Sequence, residues 1–395
     1  MRFEFTAPNR ILFGPGVVDE LGSIAVQYGR RALLVTSAAG DSGPTILDML
    51  TERGIQITEQ LERARITALV FPITGEPTIE HALQGVERAR DAECSLVIGI
   101  GGGSALDVGK AVSALLTNPG HPLDYLEVIG EGKPITQRSA PYIALPTTAG
   151  TGAEVTRNAV LKSTAQRVKV SMRSALIIPH VALVDPQLTH GMPPDVTAST
   201  GLDALTQVLE PFVSRRANPL TDALCREGIT RTAASLQRAF ENGEDAVARE
   251  DMSLVSLFGG LALANAGLGA AHGFAGPLGG MYPAPHGAVC AALLPWVMEV
   301  NVRALQERAP HDPALERYQE IAARLTGDAH ASIGAGIAWI KELTQKLNVP
   351  GLAAYGIARD DLPDIVQKSA ASSSMRGNPI ALTSEEMQEI LLAAF

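Results

Sequence analysis

Along the first half of the chain, short apolar runs alternate with stretches whose apolar residues recur every three or four positions. "RALLVTS" (31–37) is an apolar run of strand length. "PTILDMLTERG" (44–54) has helical spacing, with proline at its start and glycine at its end. The alternation continues through strand-like "TALVFPI" (67–73), helical "PTIEHALQGVERARDA" (77–92) and "SLVIGIGGG" (95–103), a strand ending in a glycine turn. "GSALDVGKAVSALLTN" (103–118) is helical again, and "YIALPTTAG" (142–150) is a strand leading into a loop. Strand and helix in turn predict a parallel sheet covered by helices. The N-terminal "MRFEFTAPNRILFG" has an alternating strand character of its own.

After "VALVDPQLT" (181–189) the pattern becomes helical and stays so to the C-terminus. Pro193–Pro194 and Thr383 mark helix starts, the latter with Glu386 placed to complete a capping box. The expected division is an α/β domain over 1–190 and an all-α domain over 191–395, as suits a chain of 395 residues. Met252 to Ala271 carries no charged residue and has the length of a membrane span. Gly259, Gly260, Asn265, Gly267 and Gly269 dilute it and a histidine follows, so the expectation is a buried helix packed closely through small residues.

Net charge is −10 and the pI about 5.4, which argues against nucleic acid or an anionic membrane as partner. Cys94, Cys225 and Cys290 share no metal-type spacing and read as buried thiols of a reducing compartment. With no apolar signal core at the N-terminus, the expected location is cytoplasmic.

Two turns suggest a nucleotide. "GIGGGSALDVGK" (99–110) follows a strand and opens a helix, where close backbone approach and free N–H groups favour a phosphate. It misses the P-loop at Ser104 and Ala111 and lacks the dinucleotide fingerprint, so a purely structural turn remains open. "PTTAGTGAEVTRN" (146–158) ends another strand and offers Thr147, Thr148, Thr151 and Thr156, and Lys169 can supply a cation. Together the two turns favour nucleotide binding.

In "GLDALTQVLEPF" (201–212), Asp203 and Gln207 are four apart and share a helix face. With His272 in "AAHGFAGPLGG" and His286 in "PAPHGAV" they can hold a catalytic metal. Singly, Asp203 reads as a helix-start residue and His272 as a core histidine; the other six histidines read as surface or structural.

"RILFGPG", "GGGSALDVGK", "PTTAGTGAEVT", "VALVDPQLT", "GLDALTQVLEPFVS" and "PHGAV", in this order, resemble the iron-dependent (group III) alcohol dehydrogenases, relatives of glycerol dehydrogenase and dehydroquinate synthase. The resemblance spans essentially the whole chain. It implies a dehydroquinate synthase-like fold: a Rossmann-like α/β domain binding NAD(P), an all-α domain, and Fe2+ or Zn2+ in the cleft between them. It also implies a homodimer, with the strand near "FEF" helping the subunits pair.

Carried over to this chain, Gly101, Gly102, Gly103 and Ser104 would hold the pyrophosphate with Asp107 beside them. Thr147, Thr148, Thr151, Asn158 and Lys169 match cofactor-contacting positions, and Ser37 stands where NAD-preferring relatives often carry Asp. Ser37 permits NADP while the nearby Asp41 can restore repulsion of a 2′-phosphate, so the reading stays at NAD(P). The metal ligands fall on Asp203, Gln207, His272 and His286, of which Asp203, His272 and His286 are the catalytic set. Two positions depart from the family pattern, which commonly has histidine at Gln207 and often places another at Gly276. The resulting expectation is an alcohol dehydrogenase or aldehyde reductase acting on a small molecule. The alternatives are a metal-free oxo-acid reductase resembling maleylacetate reductases, a hydroxyacid–oxoacid transhydrogenase, or a nucleotide-binding protein without catalysis.

Overall fold

The computed structural model describes residues 2–40 and 43–395; Asp41, the carboxylate weighed above for cofactor choice, lies outside the described residues. The chain divides into two compact units. One comprises Thr6–Thr148 and Gly152–Thr189, the other Met1–Phe5, Ala149–Thr151 and His190–Phe395.

The first unit is α/β. Its sheet contains β1 (Arg10–Phe13), β2 (Arg31–Ala38), β3 (Thr67–Thr74), β4 (Leu96–Gly101) and β5 (Tyr142–Pro146). After a separate antiparallel pair, β6 (Asn158–Ser163) and β7 (Val168–Arg173), the chain adds β8 (Val181–Val184). The order is β1-β8-β5-β4-β2-β3, parallel throughout. The apolar runs are continuous because both faces are covered: Leu33, Val35, Val97 and Ala144 enter one core, and Leu34, Ile98, Ile143 and Leu145 the other.

Within β4, Gly99 is there for space. Tyr142, fully buried, lays its ring over Gly99 and Gly109 and donates from its hydroxyl to Leu106 O at 2.8 Å. A Cβ on Gly99 would stand 2.3 Å from the Tyr142 oxygen, and one on Gly109 2.9 Å from the ring.

The second unit is all-α. Its helices are Pro194–Val213, Pro219–Glu241, Ala246–Ala266, Ala270–Met281, His286–Arg308, Pro313–Thr326, Ile333–Lys346, Leu362–Ala370 and Ser384–Ala393. The capping box at Thr383 is present: Glu386 accepts from Thr383 N at 2.7 Å and donates its own N–H to Thr383 Oγ1 at 3.2 Å. Close helix packing rests on absent side chains, since a Cβ on Gly201 would meet Leu236 at 2.2 Å and one on Gly228 would meet Val208 at 2.8 Å.

Three expectations need correction. The alternating N-terminal segment forms strand only over Arg10–Phe13, and Arg2–Pro8 has no regular structure. The run from Met252 to Ala271 is not one helix: Gly267 adopts φ 70°, the first helix stops at Ala266, and the next begins at Ala270 after a 98° bend. Cys94 is half-buried rather than buried. Among the described residues, one helix, His286–Arg308, is long and apolar enough to cross a membrane, and 83% of its apolar window is buried inside the protein.

The Gly99→Ala variant should lose roughly 1–3 kcal/mol of stability, the usual penalty for overpacking a filled core. Adding Tyr142→Phe should recover part of that loss, because the phenolic oxygen is the nearest atom. Denaturant midpoints of the single and double variants check both statements.

Candidate metal centre and cofactor loops

The helix Pro194–Val213 presents Asp203, Gln207 and Glu210 at i, i+4 and i+7, on one face. Its neighbours Leu202, Leu205, Val208, Leu209 and Phe212 belong to the core, so all three polar residues are buried with it. Gln207 Nε2 donates to Gly150 O at 3.0 Å and to Asp203 Oδ2 at 3.2 Å. Both partners are acceptors, which fixes the amide with its oxygen on the opposite side.

The break at Gly267 starts a new helix whose first turn carries His272. Glu210 braces it: one carboxylate oxygen accepts from Ala271 N at 2.7 Å and the other lies 2.7 Å from His272 Nδ1. With Nδ1 set against the Glu210 carboxylate, Nε2 faces Asp203 Oδ1 at 3.3 Å. His286 opens the next long helix behind Pro285, and its Nε2 is 4.0 Å from Asp203 Oδ1. Cys290, one turn further along the same helix, brings Sγ to 3.9 Å from His286 Nε2.

These groups fit a cation. Asp203 Oδ1, Gln207 Oε1 and His272 Nε2 are buried without a hydrogen-bond partner. One ligand atom from each of Asp203, His272, His286 and Cys290 lies within 4.8 Å of the others. Burial raises the Asp203 carboxyl, but the His272 ring 3.3 Å away and the charges of both imidazoles outweigh it and leave it below its ordinary value. Burial also works against a charged His272, yet Cys290, Glu210 and Asp203 together hold it well above the usual imidazole range. The Cys290 thiol is pushed up to about 12, mainly by burial.

Cys290 is the residue that cysteine spacing alone does not reveal: it is a buried thiol, as expected, but one gathered among candidate metal ligands. Its signal is the distance from His286, four positions on one helix. Glu210 likewise went unassigned, although it follows Gln207 by three on the same face.

In the α/β unit, sequence-distant turns meet at the carboxyl ends of adjacent strands. Gly101 has φ 151°, and a Cβ there would stand 2.5 Å from Ser37 Oγ. Thr147 N donates to Gly101 O at 3.0 Å, and a Cβ on Gly102 would meet Thr148 at 3.4 Å. Gly102 caps the helix Gly103–Thr117 without a side chain, so the first-turn N–H groups at Gly103 and Ser104 keep their affinity for an anion. This cradle suits a pyrophosphate. Thr151, by contrast, belongs to the helical unit, in the stretch Ala149–Thr151.

Three candidate contacts are engaged within the protein. Asp107 lies 3.3 Å from Lys110 Nζ and accepts from Val160 N at 3.1 Å. Asn158 offers its carbonyl to Lys110 at 2.7 Å, and Lys169 pairs with Glu76 at 2.8 Å. Close to fully buried Lys110, Glu154 Oε1 has no partner, and burial raises the Glu154 carboxyl to about 7.

The family model described as "Iron-containing alcohol dehydrogenase" matches residues 8–186, and "Fe-containing alcohol dehydrogenase family, C-terminal" matches 197–395. The chain belongs to the iron-containing alcohol dehydrogenase family. It is 32% identical to a choline dehydrogenase of Bacillus subtilis strain 168, over 95% of this chain and 90% of that one. It is 33% identical to a 1,3-propanediol dehydrogenase of Klebsiella pneumoniae, over 100% and 99%. Among solved structures, an alcohol dehydrogenase from Oenococcus oeni superposes with a TM-score of 0.90 at 30% identity, covering 100% of both chains. Membership implies NAD(P) and a divalent metal, and the cluster around Asp203 suits such an ion.

Glu154 sets a pH dependence. A carboxyl with its folded pKa raised from 4.5 to about 7 favours folding below pH 4.5 and loses that contribution as pH rises to about 7. At about 1.4 kcal/mol per pH unit, its ionisation costs on the order of 3 kcal/mol at the upper end. Glu154→Gln should flatten the fall in melting temperature across that window, as thermal denaturation against pH will show.

Proposed function

We propose that this family member is an NAD(P)-dependent oxidoreductase interconverting a small alcohol and its aldehyde or ketone, with a divalent metal, Fe2+ or Zn2+, held in the helical unit. The observation that carries the reading is the buried donor cluster in which Asp203 Oδ1 and His272 Nε2 have no hydrogen-bond partner. Relatives named as alcohol, choline and propanediol dehydrogenases supply the substrate class.

When bound, the metal supplies Lewis acidity at the substrate oxygen and the nicotinamide gives or takes the hydride. Asp203, His272 and His286 are the residues that would hold the ion, and Gln207 Oε1 is a further neutral donor beside them. Glu210 fixes the ring orientation and tautomer of His272, while Gln207 Nε2 steadies Asp203 through Oδ2. Gly101, Gly102, Gly103 and Ser104 receive the pyrophosphate, with Thr147 and Thr148 beside them. Asp107 and Asn158 brace that loop through Lys110, and Thr151 and Lys169, the latter paired with Glu76, are the remaining candidate cofactor contacts. Ser37 places no carboxylate at the end of β2, which leaves both NAD and NADP acceptable. Gly276 contributes no proton carrier, and nothing lies within 4 Å of where its Cβ would stand.

Cytoplasmic location and a homodimer complete the proposal. The free cysteines fit a reducing compartment, and size-exclusion chromatography with light scattering tests the dimer.

Metal analysis of protein purified without oxygen, followed by assays with NADH and NADPH on aldehydes and ketones, tests the function. Turnover with neither cofactor on any of them overturns it. Glu210→Gln should weaken metal binding by roughly 10–100-fold, the usual effect of removing a carboxylate behind a ligating histidine. Competition with a chelator measures that change.

A further inference from the structure

Resting on the metal-assisted reading above, we propose that the Cys290 thiolate is a ligand of the metal, which makes the centre an Asp203–His272–His286–Cys290 site biased toward zinc over iron.

The four donor atoms are gathered at close to the spacing of a metal's ligands. Bonds of about 2.0–2.3 Å from zinc to oxygen, nitrogen and sulfur give ligand-to-ligand edges of roughly 3.3–3.8 Å. Three edges of the cluster are close to that range: 3.3 Å from His272 Nε2 to Asp203 Oδ1, 4.0 Å from His286 Nε2 to Asp203 Oδ1, and 3.9 Å from His286 Nε2 to Cys290 Sγ. All four donor atoms fall within 4.8 Å of one another.

Two independent observations aim the site at a cation. Asp203 Oδ1 and His272 Nε2, both deeply buried, have no hydrogen-bond partner. Glu210 braces His272 from behind, the arrangement that orients ligating histidines.

Cys290 also brings a fourth donor to a cluster whose position 207 carries no imidazole. Gln207 grips Asp203 through Oδ2, whereas the cluster forms around Oδ1. Its amide nitrogen is spent on Gly150 O and that carboxylate. The anionic sulfur, one helical turn from His286, adds the charge and softness that a neutral amide oxygen lacks, and softness selects zinc. Ligation replaces the S–H bond with a sulfur–metal bond and releases one proton to the buffer.

The test is cobalt(II) substitution of the full chain after metal removal. The wild-type protein should show the thiolate-to-cobalt charge-transfer absorption in the near ultraviolet. Cys290→Ala should abolish that absorption and weaken cobalt binding by about 10-fold or more, while Cys225→Ala and Cys94→Ala retain both. The wild-type spectrum decides the matter even where the Cys290→Ala protein fails to fold. Bound cobalt without the absorption, or an unchanged spectrum and affinity in Cys290→Ala, overturns the sulfur ligand and leaves the metal-assisted reading intact. No cobalt binding by the wild-type protein overturns both.

Discussion

Two carboxylates buried on one face of a core helix govern the arrangement of the helical unit. Removing a carboxylate from water costs several kcal/mol unless partners or counter-charge replace the lost hydration. Asp203 and Glu210 meet that demand differently. Glu210 is satisfied by protein, through Ala271 N and His272 Nδ1. That solution needs a helix to begin beside it, because a first-turn N–H is free to donate. The break at Gly267 and the new start at Ala270 supply it. Asp203 has only Gln207 on one oxygen, and its other oxygen is left to the imidazoles and whatever cation they share.

The α/β unit handles buried charge by internal pairing. Lys110 is fully buried, and its ammonium donates to Thr156 Oγ1 and Asn158 O while facing Asp107. These bonds tie the helix Gly103–Thr117 to the chain entering β6, which holds the glycine cradle in shape. Residues that resemble cofactor contacts in sequence therefore divide into two kinds. Gly101 and Gly102 shape the space itself, and Asp107 and Asn158 keep the backbone around it in place.

Much of this was legible in the sequence because the alternating runs of the parallel sheet are buried on both faces. "RALLVTS" and "YIALP" need no partner pattern to declare themselves. The β6–β7 pair drew no expectation, since "NAVLKSTAQRVKVSMR" mixes lysine and arginine into its alternation. The bend after Ala266 was hidden because the apolar composition continues straight through it, and only Gly267 at positive φ marks the stop. Asp203 emerged from its spacing to Gln207 on one helix, and His272 and His286 from their own segments together with the family resemblance. Glu210 lay in the same quoted stretch, but a buried glutamate has no sequence mark until its histidine partner is located in space. Cys290 was obscured by comparing the cysteines with one another, when the informative interval ran from His286.

Gln207 and Cys290 are best understood together. An imidazole at 207 would bring one neutral nitrogen donor to a cation, but a single ring cannot offer two N–H groups from one nitrogen to Gly150 O and Asp203 Oδ2. The amide does so, and thereby fixes Asp203 with Oδ1 turned toward the histidines. Fixing the carboxylate in this way strengthens its value as a ligand while leaving only a neutral amide oxygen where histidine would supply a nitrogen donor. A stronger donor then has to come from another element, within reach of His272 and His286. The helix starting at His286 presents only one metal-binding side chain a single turn further on, and it is the thiol of Cys290. A glutamine that looks like loss of a ligand becomes, in this geometry, the positioning half of a different ligand set.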